Sequence, residues 1–557
     1  MNKLLKLVAL TLAAVAFAGC AQLPRSSEVK AGPEIQGDIA NDYLYYSPSG
    51  PVQGETQQEI LSGFLNAGTG PQNDYEAARL YLTQDFKTKW NPNAEVLIQQ
   101  GSPTVSFNAS QLASVTVQVQ ASVDGDGHYV VEEVGATRLL QFELVREAGE
   151  WRIAQAPNLT LLIRPVFDVI FRSYSIYFFD AQRSHLVPDL RWFPSRASTA
   201  TRMMNAMLKG PSDWLKPAVN SAIPAGTALS LTSVTVADGI ASVDLTAKAL
   251  TAKDVARRQM KAQIRATLTQ LPNVYSVAIS VERGPQEIVD IPELVPTVAS
   301  NQAVVLSMGE LQAINADDLT PIGGTADLIS RTAATDFAIT ESGDWVALKG
   351  AGGVFRSRVG IFGTAPTLVD ARVGQLTPTF DDRNYLWTMT RKAGESVQIT
   401  APGGSRSFLS LGWLDAFPRR QFALSAEGSR IALLVGSGQN VRTFVASIVR
   451  DGEGLPLAFG EPLEVVGANA SPISVSWSDE NTIAVLHSLG DGTVAATLHT
   501  IGGTARELGL VAGGRSLEAR ANASSIFALD ANRVLYGYRN ITWTRMFEDI
   551  QAIHFAN

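Results

Sequence analysis

Five segments in the C-terminal half of the chain repeat one pattern. They are "DFAITESGDWVALKG", "PTFDDRNYLWTM", "FALSAEGSRIALLV", "VSWSDENTIAVLHS" and "EARANASSIFALDA". Each reads as a strand, a polar turn and a second strand. Val346, Leu386, Ile431, Ile483 and Ile526 hold equivalent positions, 40, 45, 52 and 43 residues apart. That is the repeat length of a four-stranded propeller blade. One such unit cannot bury both of its faces, so the copies must stack. The ends supply a further copy: "QAVVLSM", "ELQAIN" and "LTPIGG" are three strands lacking an inner one, and "IQAIHFA" is a strand lacking its blade. Joining them removes exposed sheet edges. Residues 302–557 are therefore expected to form an all-β propeller of six blades, with no helix.

The other end of the chain is constrained by its only cysteine, Cys20. Lys3 and Lys6 precede an uncharged apolar run over residues 7–18. That run is shorter than the ~20 residues a bilayer span needs, and it has the proportions of a secretory signal. Ala18-Gly19-Cys20 resembles a lipobox, the bacterial lipoprotein signal, with Phe17 where that pattern usually has Leu. The resemblance implies that residues 1–19 are removed and that Cys20 carries the lipid. The membrane is then a partner through that lipid, each buried CH₂ contributing ~0.8 kcal/mol. Residues 20–38 read as lipidated cysteine and tether. One cysteine allows no internal disulfide, so each domain must fold on core burial, which a 45% hydrophobic, 18% charged composition permits. Losing the two lysines of residues 1–19 takes the formal charge from −8 to −10, a poor basis for binding nucleic acid.

Residues 39–165 change character part-way. Thr56-Gln57-Gln58-Glu59 has capping-box spacing, and Ile60, Leu61, Phe64 and Leu65 follow at helical intervals up to Gly68. Asn73 to Glu76 is expected to open a second helix toward Leu82. Val115, Val117 and Val119 then alternate with polar residues, the period of a half-buried strand. Helices followed by a meander ending in "GEWRI" resemble the NTF2-like α+β class. Asp124-x-Asp126-Gly127 is read as a turn, because an EF-hand loop counted from Asp124 would need Gly and Glu where the chain has Tyr129 and Gly135.

Residues 172–284 read as an α/β unit. "RSYSIYFFD" is a strand; a helix around 199–209 carries Met203, Met204, Met207 and Leu208 and stops at Gly210-Pro211. Thr251-x-x-Asp254 is expected to cap a longer helix with Met260, Ile264, Leu268 and Leu271 on its apolar face. "LVPDLRW", "MLKGPSDWLKPAVNSAIPAGT", "SVDLT" and "TLTQLPNVYSVAISVERG" resemble the GerMN domain of spore-germination lipoproteins, which implies interaction rather than catalysis.

Residues with chemical potential are scattered. His128, His185, His487, His499 and His554 fall in three domains without metal-site spacing. His487 and His499 are placed to face each other on neighbouring strands. No serine lies in G-x-S-x-G, and the glycine-rich "KGAGGVF" is a hairpin. Arg191 and Asp244 are read either as the lining of a groove or, more plainly, as a structural ion pair. Asp336, Asp381, Asp382, Glu427, Asp479, Glu480 and Glu518 are the carboxylates of the inner-strand segments, most of them in turns. No catalytic residue, metal site or cofactor is expected.

The order of signal, helix-plus-meander domain, GerMN-like domain and propeller, together with "YSPSGPVQGETQQEILSGFLNA", resembles the actinobacterial LpqB family of lipoproteins, which accompany the MtrA/MtrB two-component system. The resemblance implies a non-enzymatic accessory on the extracytoplasmic face of the cell membrane. It would modulate a sensor histidine kinase of the MtrB kind by contact with its extracytoplasmic region, and so act on envelope and division functions. The alternative is a propeller that binds or hydrolyses an envelope glycan.

Overall fold

The computed structural model describes residues 48–108, 112–292, 294–361, 363–490, 492–520 and 525–557. The proposed signal, Cys20 and the tether lie outside them. Helix Gln57–Ala67 begins with the expected capping box: Thr56 accepts from the Glu59 N–H, and the Glu59 carboxylate accepts from Thr56 N at 2.8 Å. Its buried face, Ile60, Leu61, Phe64 and Ala67, packs on the sheet that follows. The second helix is shorter than its sequence pattern predicts. Asn73, Asp74 and Tyr75 all have positive φ, and after a 3₁₀ turn at Gln72–Asp74 only Glu76–Arg79 is α-helical. Tyr75 is buried with its ring edge-on to Trp90 at 6.1 Å, and that tertiary contact sets the backbone.

The sheet of this domain runs Glu150–Gln155, Thr137–Glu147, Leu112–Asp124, Glu95–Phe107, Thr160–Ile163. The last strand is parallel to Glu95–Phe107 and closes the sheet, a pairing the alternation pattern does not announce. Val115, Val117, Val119, Phe142 and Leu144 point to one core. Helix Arg164–Ile170 leads straight into the next domain.

There the hairpin of Phe171–Asp180 and Leu186–Pro194 packs beside a second sheet, in which Ile240–Leu245 and Ser276–Val281 run parallel. Two helices cover them. Thr199–Lys209 ends at Gly210, whose φ of 108° is outside the range an L-residue takes easily. Asp254–Leu268 supplies Met260, Ile264 and Leu268 to the same core as Met203, Met204 and Met207. Thr251 does not cap this helix. It ends a 3₁₀ turn, its hydroxyl donating to the Lys248 carbonyl at 2.8 Å, and Leu271 packs from beyond the helix end.

The strands of 303–555 form six antiparallel sheets in chain order. The first unites Asp318–Pro321, Glu310–Asn315 and Ala303–Ser307 with Ile550–Phe555 from the other end of the chain. The inner strand Ile550–Phe555 packs against both Asp336–Ile339 and Gly514–Ala519, which begin the second sheet and the last. The domain is not free of helix, contrary to the sequence reading. Thr325–Thr332 is helical, with Leu328 and Ile329 buried between the first two sheets. Its eight residues are too few for helical periodicity to stand out among β repeats.

Candidate functional site: the propeller axis and its seam with the middle domain

All six inner strands, or the residues just beyond them, contribute to a cavity of about 60 Å³ on the axis, where Thr377, Gln421, Ser476, Glu518, Arg520 and His554 meet. His554 sits between two carboxylates. Its Nε2 is 2.7 Å from Asp336 Oδ1 and its Nδ1 3.0 Å from Glu518 Oε1. Burial alone would push the imidazole down, but Asp336 and Glu518 outweigh it and raise His554 to about 10. Burial would raise Asp336, and the imidazolium overrides it, holding Asp336 at about 2. Thr377 donates to the other Asp336 oxygen, and Ser476 donates to Glu518 Oε2 at 2.9 Å. An imidazolium with both N–H groups so engaged has no lone pair at neutral pH. The group is suited to tying three inner strands together, not to taking a proton.

Two more acids of the inner segments are buried in pairs. Asp381 accepts from Arg450 at 2.7 Å and from Trp387 Nε1 at 3.1 Å; Glu427 accepts from Arg430 at 2.7 Å. Asp479 closes a turn, accepting the Asn481 N–H at 2.8 Å. Asp382 and Glu480 do something the sequence did not reveal: they meet the middle domain.

That seam is polar and continuous. Asp180, at the end of the first middle-domain strand, accepts from Arg383 at 2.6 Å. His185 Nδ1 lies 3.6 Å from Asp382 Oδ2 and 3.7 Å from Asp180 Oδ2. Glu480 accepts from Ser175 and Tyr177, at 2.9 and 2.8 Å, and Asn481 donates to Ser175 at 2.8 Å. Trp192 Nε1 donates to the Gly502 carbonyl at 2.9 Å, and Ser447 donates to that of Trp214 at 2.8 Å. Burial, then the Asp381 charge, raises Asp382 to about 6. Burial raises Glu480, and the hydrogen bond with Asp180 raises His185. Gly428, with φ of 66°, leaves room for Asp382 and the Arg450 guanidinium; a Cβ there would overlap Asp382 Oδ1.

Arg191 and Asp244 are not brought together, so neither sequence reading of them as a pair describes the structure. Arg191 is buried on Asp189 at 2.7 Å, two residues away. Asp244 accepts from Ser280 and from the Arg283 N–H, the latter at 2.9 Å. Neither lines the cavity of about 490 Å³ in this domain. His128 is held by Asp124 at 2.8 Å, and the same carboxylate accepts the Asp126 and His128 N–H groups, the arrangement of a turn. His487 and His499 do face each other, Nε2 to Nε2 at 3.2 Å. Burial lowers both, His499 to about 4. Among the described residues no three His, Cys, Asp or Glu side chains converge as metal ligands.

Three family models match in succession: "Lipoprotein LpqB, N-terminal domain" over residues 50–168, "Sporulation and spore germination" over 175–287, and "Lipoprotein LpqB beta-propeller domain" over 309–552. Among curated relatives, Lipoprotein LpqB of Thermobifida fusca is 23% identical across 99% of both chains. That of Rhodococcus jostii is 25% identical over 86% of this chain and 84% of its own, and that of Cutibacterium acnes is 30% identical over 46% and 44%.

Proposed function

This chain belongs to the LpqB family of lipoproteins, and from that premise we propose that it is a lipid-anchored accessory of a sensor histidine kinase, acting on the extracytoplasmic face of the cell membrane by contact rather than turnover. The family match supports the anchor, with Cys20 as the lipidated residue. The observation that carries the contact reading is the use of the inner-segment carboxylates. Asp336, Asp381, Asp382, Glu427, Glu480 and Glu518 are engaged with cations, hydroxyls or the middle domain. Glycoside hydrolysis needs two carboxyl groups flanking a substrate, and these flank other side chains instead. Confinement to one membrane surface raises the effective concentration of two proteins, so a weak contact is well occupied.

The experiment is reconstitution of the lipidated protein with the kinase and its response regulator in one membrane. The protein should change the rate of phosphotransfer. Replacing Asp479 by Asn, an acid that only closes a turn, should leave the change intact. Indifferent phosphotransfer, together with degradation of an envelope polymer by the purified protein, would establish the glycan-hydrolase alternative instead.

A further inference from the structure

The charge of the chain is divided unequally among its domains. Residues 48–171 hold seven Lys and Arg against fourteen Asp and Glu, a net −7, and residues 285–557 hold twenty against twenty-eight, a net −8. Between them, residues 172–284 hold fourteen against seven, a net +7. Part of this excess is neutralised within the chain. Arg191 is buried on Asp189, Lys209 pairs with Asp126 of the first domain, and Lys261 and Arg265 hold Asp290 together with the carbonyls of Ile288 and Ile291. One segment keeps four cations that are not neutralised: Lys248, Lys253, Arg257 and Arg258. Among the described residues their side chains have no hydrogen bond and no ion pair, and Asp254 is the one acid of the segment. Their placement works against the helix that carries them. Lys253 holds the N-cap position of helix Asp254–Leu268 without capping it, and Arg257 and Arg258 follow in its opening turns. A helix N-terminus already bears partial positive charge, so cations there cost stability. A local rule broken without a compensating partner inside the fold points to a functional surface. Lys248, Lys253 and Arg258 are exposed, and so are two apolar side chains of the same segment, Leu250 at 47% and Val255 at 58%.

We propose that residues 247–258 are a docking surface for an anionic lipid bilayer, with the four cations on headgroup phosphates and Leu250 and Val255 at the headgroup level. Basic side chains beside exposed apolar ones are the composition of segments that lie in a membrane interface. Two features select a bilayer as the partner. The first is charge: the flanking domains are acidic and are repelled by an anionic surface, so approach to one turns the middle domain toward it. The second is reach, and here the inference rests on the Cys20 anchor proposed above. Residues 21–47 extend at most ~90 Å, so the anchor keeps the surface beside its bilayer. Each cation at such a surface strengthens adsorption about fivefold, the equivalent of about 1 kcal/mol, and salt weakens the effect by shortening the Debye length.

The test places the full lipidated chain in nanodiscs of phosphatidylcholine alone or of an equal mixture of phosphatidylcholine and phosphatidylglycerol, and follows hydrogen exchange of residues 247–258 at one pH. Incorporation into the discs without net charge reports the anchor, whereas the surface is read from the difference between the two lipids, so the two readings fail separately. Phosphatidylglycerol should protect residues 247–258, and high salt should remove the protection. Arg258→Gln should weaken the lipid-dependent protection about fivefold, and Gln at all four of Lys248, Lys253, Arg257 and Arg258 should abolish it, with melting of the variant monitored to verify its fold. Arg545→Gln, the same change of charge on the propeller, should leave it intact. The proposal is overturned by equal exchange in both discs or by protection that survives the fourfold substitution. Protection of these residues by the kinase's sensor region, with no response to phosphatidylglycerol, would mark a protein-docking surface and also overturn it.

Discussion

His554, on the last strand of the chain, lies 2.7 Å from Asp336, on an inner strand 218 residues earlier. The pair joins the first sheet to the second at the axis, and Glu518 extends it to the last.

Replacing His554 by Gln removes the cation shared by two largely buried carboxylates, leaving Asp336 only the more distant Lys349 at 3.6 Å, a loss toward the lower end of the ~3–5 kcal/mol of a broken buried pair. The raised imidazole contributes stability that is full below its unfolded value near 6.5 and is lost as pH climbs through about 10. Asp336, held down at about 2, contributes above about 4 and loses that share only as pH falls toward 2. The melting temperature of the propeller should therefore decline between pH 8 and pH 10.5, measured by calorimetry, and the decline should be much shallower in His554→Gln.

Deleting residues 551–557 removes the partner of Ala303–Ser307. The first sheet would present a bare edge to solvent, a template for intermolecular pairing. Light scattering should show aggregation of the truncated protein under conditions where the full chain is monodisperse. A truncated protein that melts at the original temperature would show that the terminal pairing contributes nothing to the ring.

The seam should loosen as pH rises. Asp382, raised to about 6, and His185, also raised, both favour docking in their protonated forms. Their contributions are full below about 4 and about 6.5 and fade as each titrates in the folded protein. Asp180, held low, stays ionised throughout this window. The protection factors of residues 171–185 against hydrogen exchange, each taken relative to the intrinsic rate at the same pH, should be higher at pH 5.5 than at pH 7.5, and Asp382→Asn should shrink the difference. Arg383→Ala, which removes the guanidinium from buried Asp180, should lower protection there at both pH values.

Cys20→Ala should abolish lipid attachment, read as transfer of the protein from the detergent phase to the aqueous phase on partitioning. Unchanged partitioning would refute lipidation at that residue.

Local sequence determined the elements whose signals are themselves local. Thr56 and Glu59 form their capping box within one turn, Gly210 stops a helix at the expected residue, and the strand-turn-strand copies each pair with themselves before pairing with anything else. Even the join of the chain ends was legible, because a strand without its sheet and a sheet without its inner strand imply one another. What the tertiary structure alone decided is the partner of each charge. Arg191 chose Asp189 over Asp244, Asp382 and Glu480 left the axis for the seam, and His554 became an imidazolium between Asp336 and Glu518. Backbone periodicity repeats every few residues and is written in the order of side chains. A charge pair depends on which side chains converge in space across hundreds of residues and on how much water is excluded where they meet, and neither quantity has a local signature.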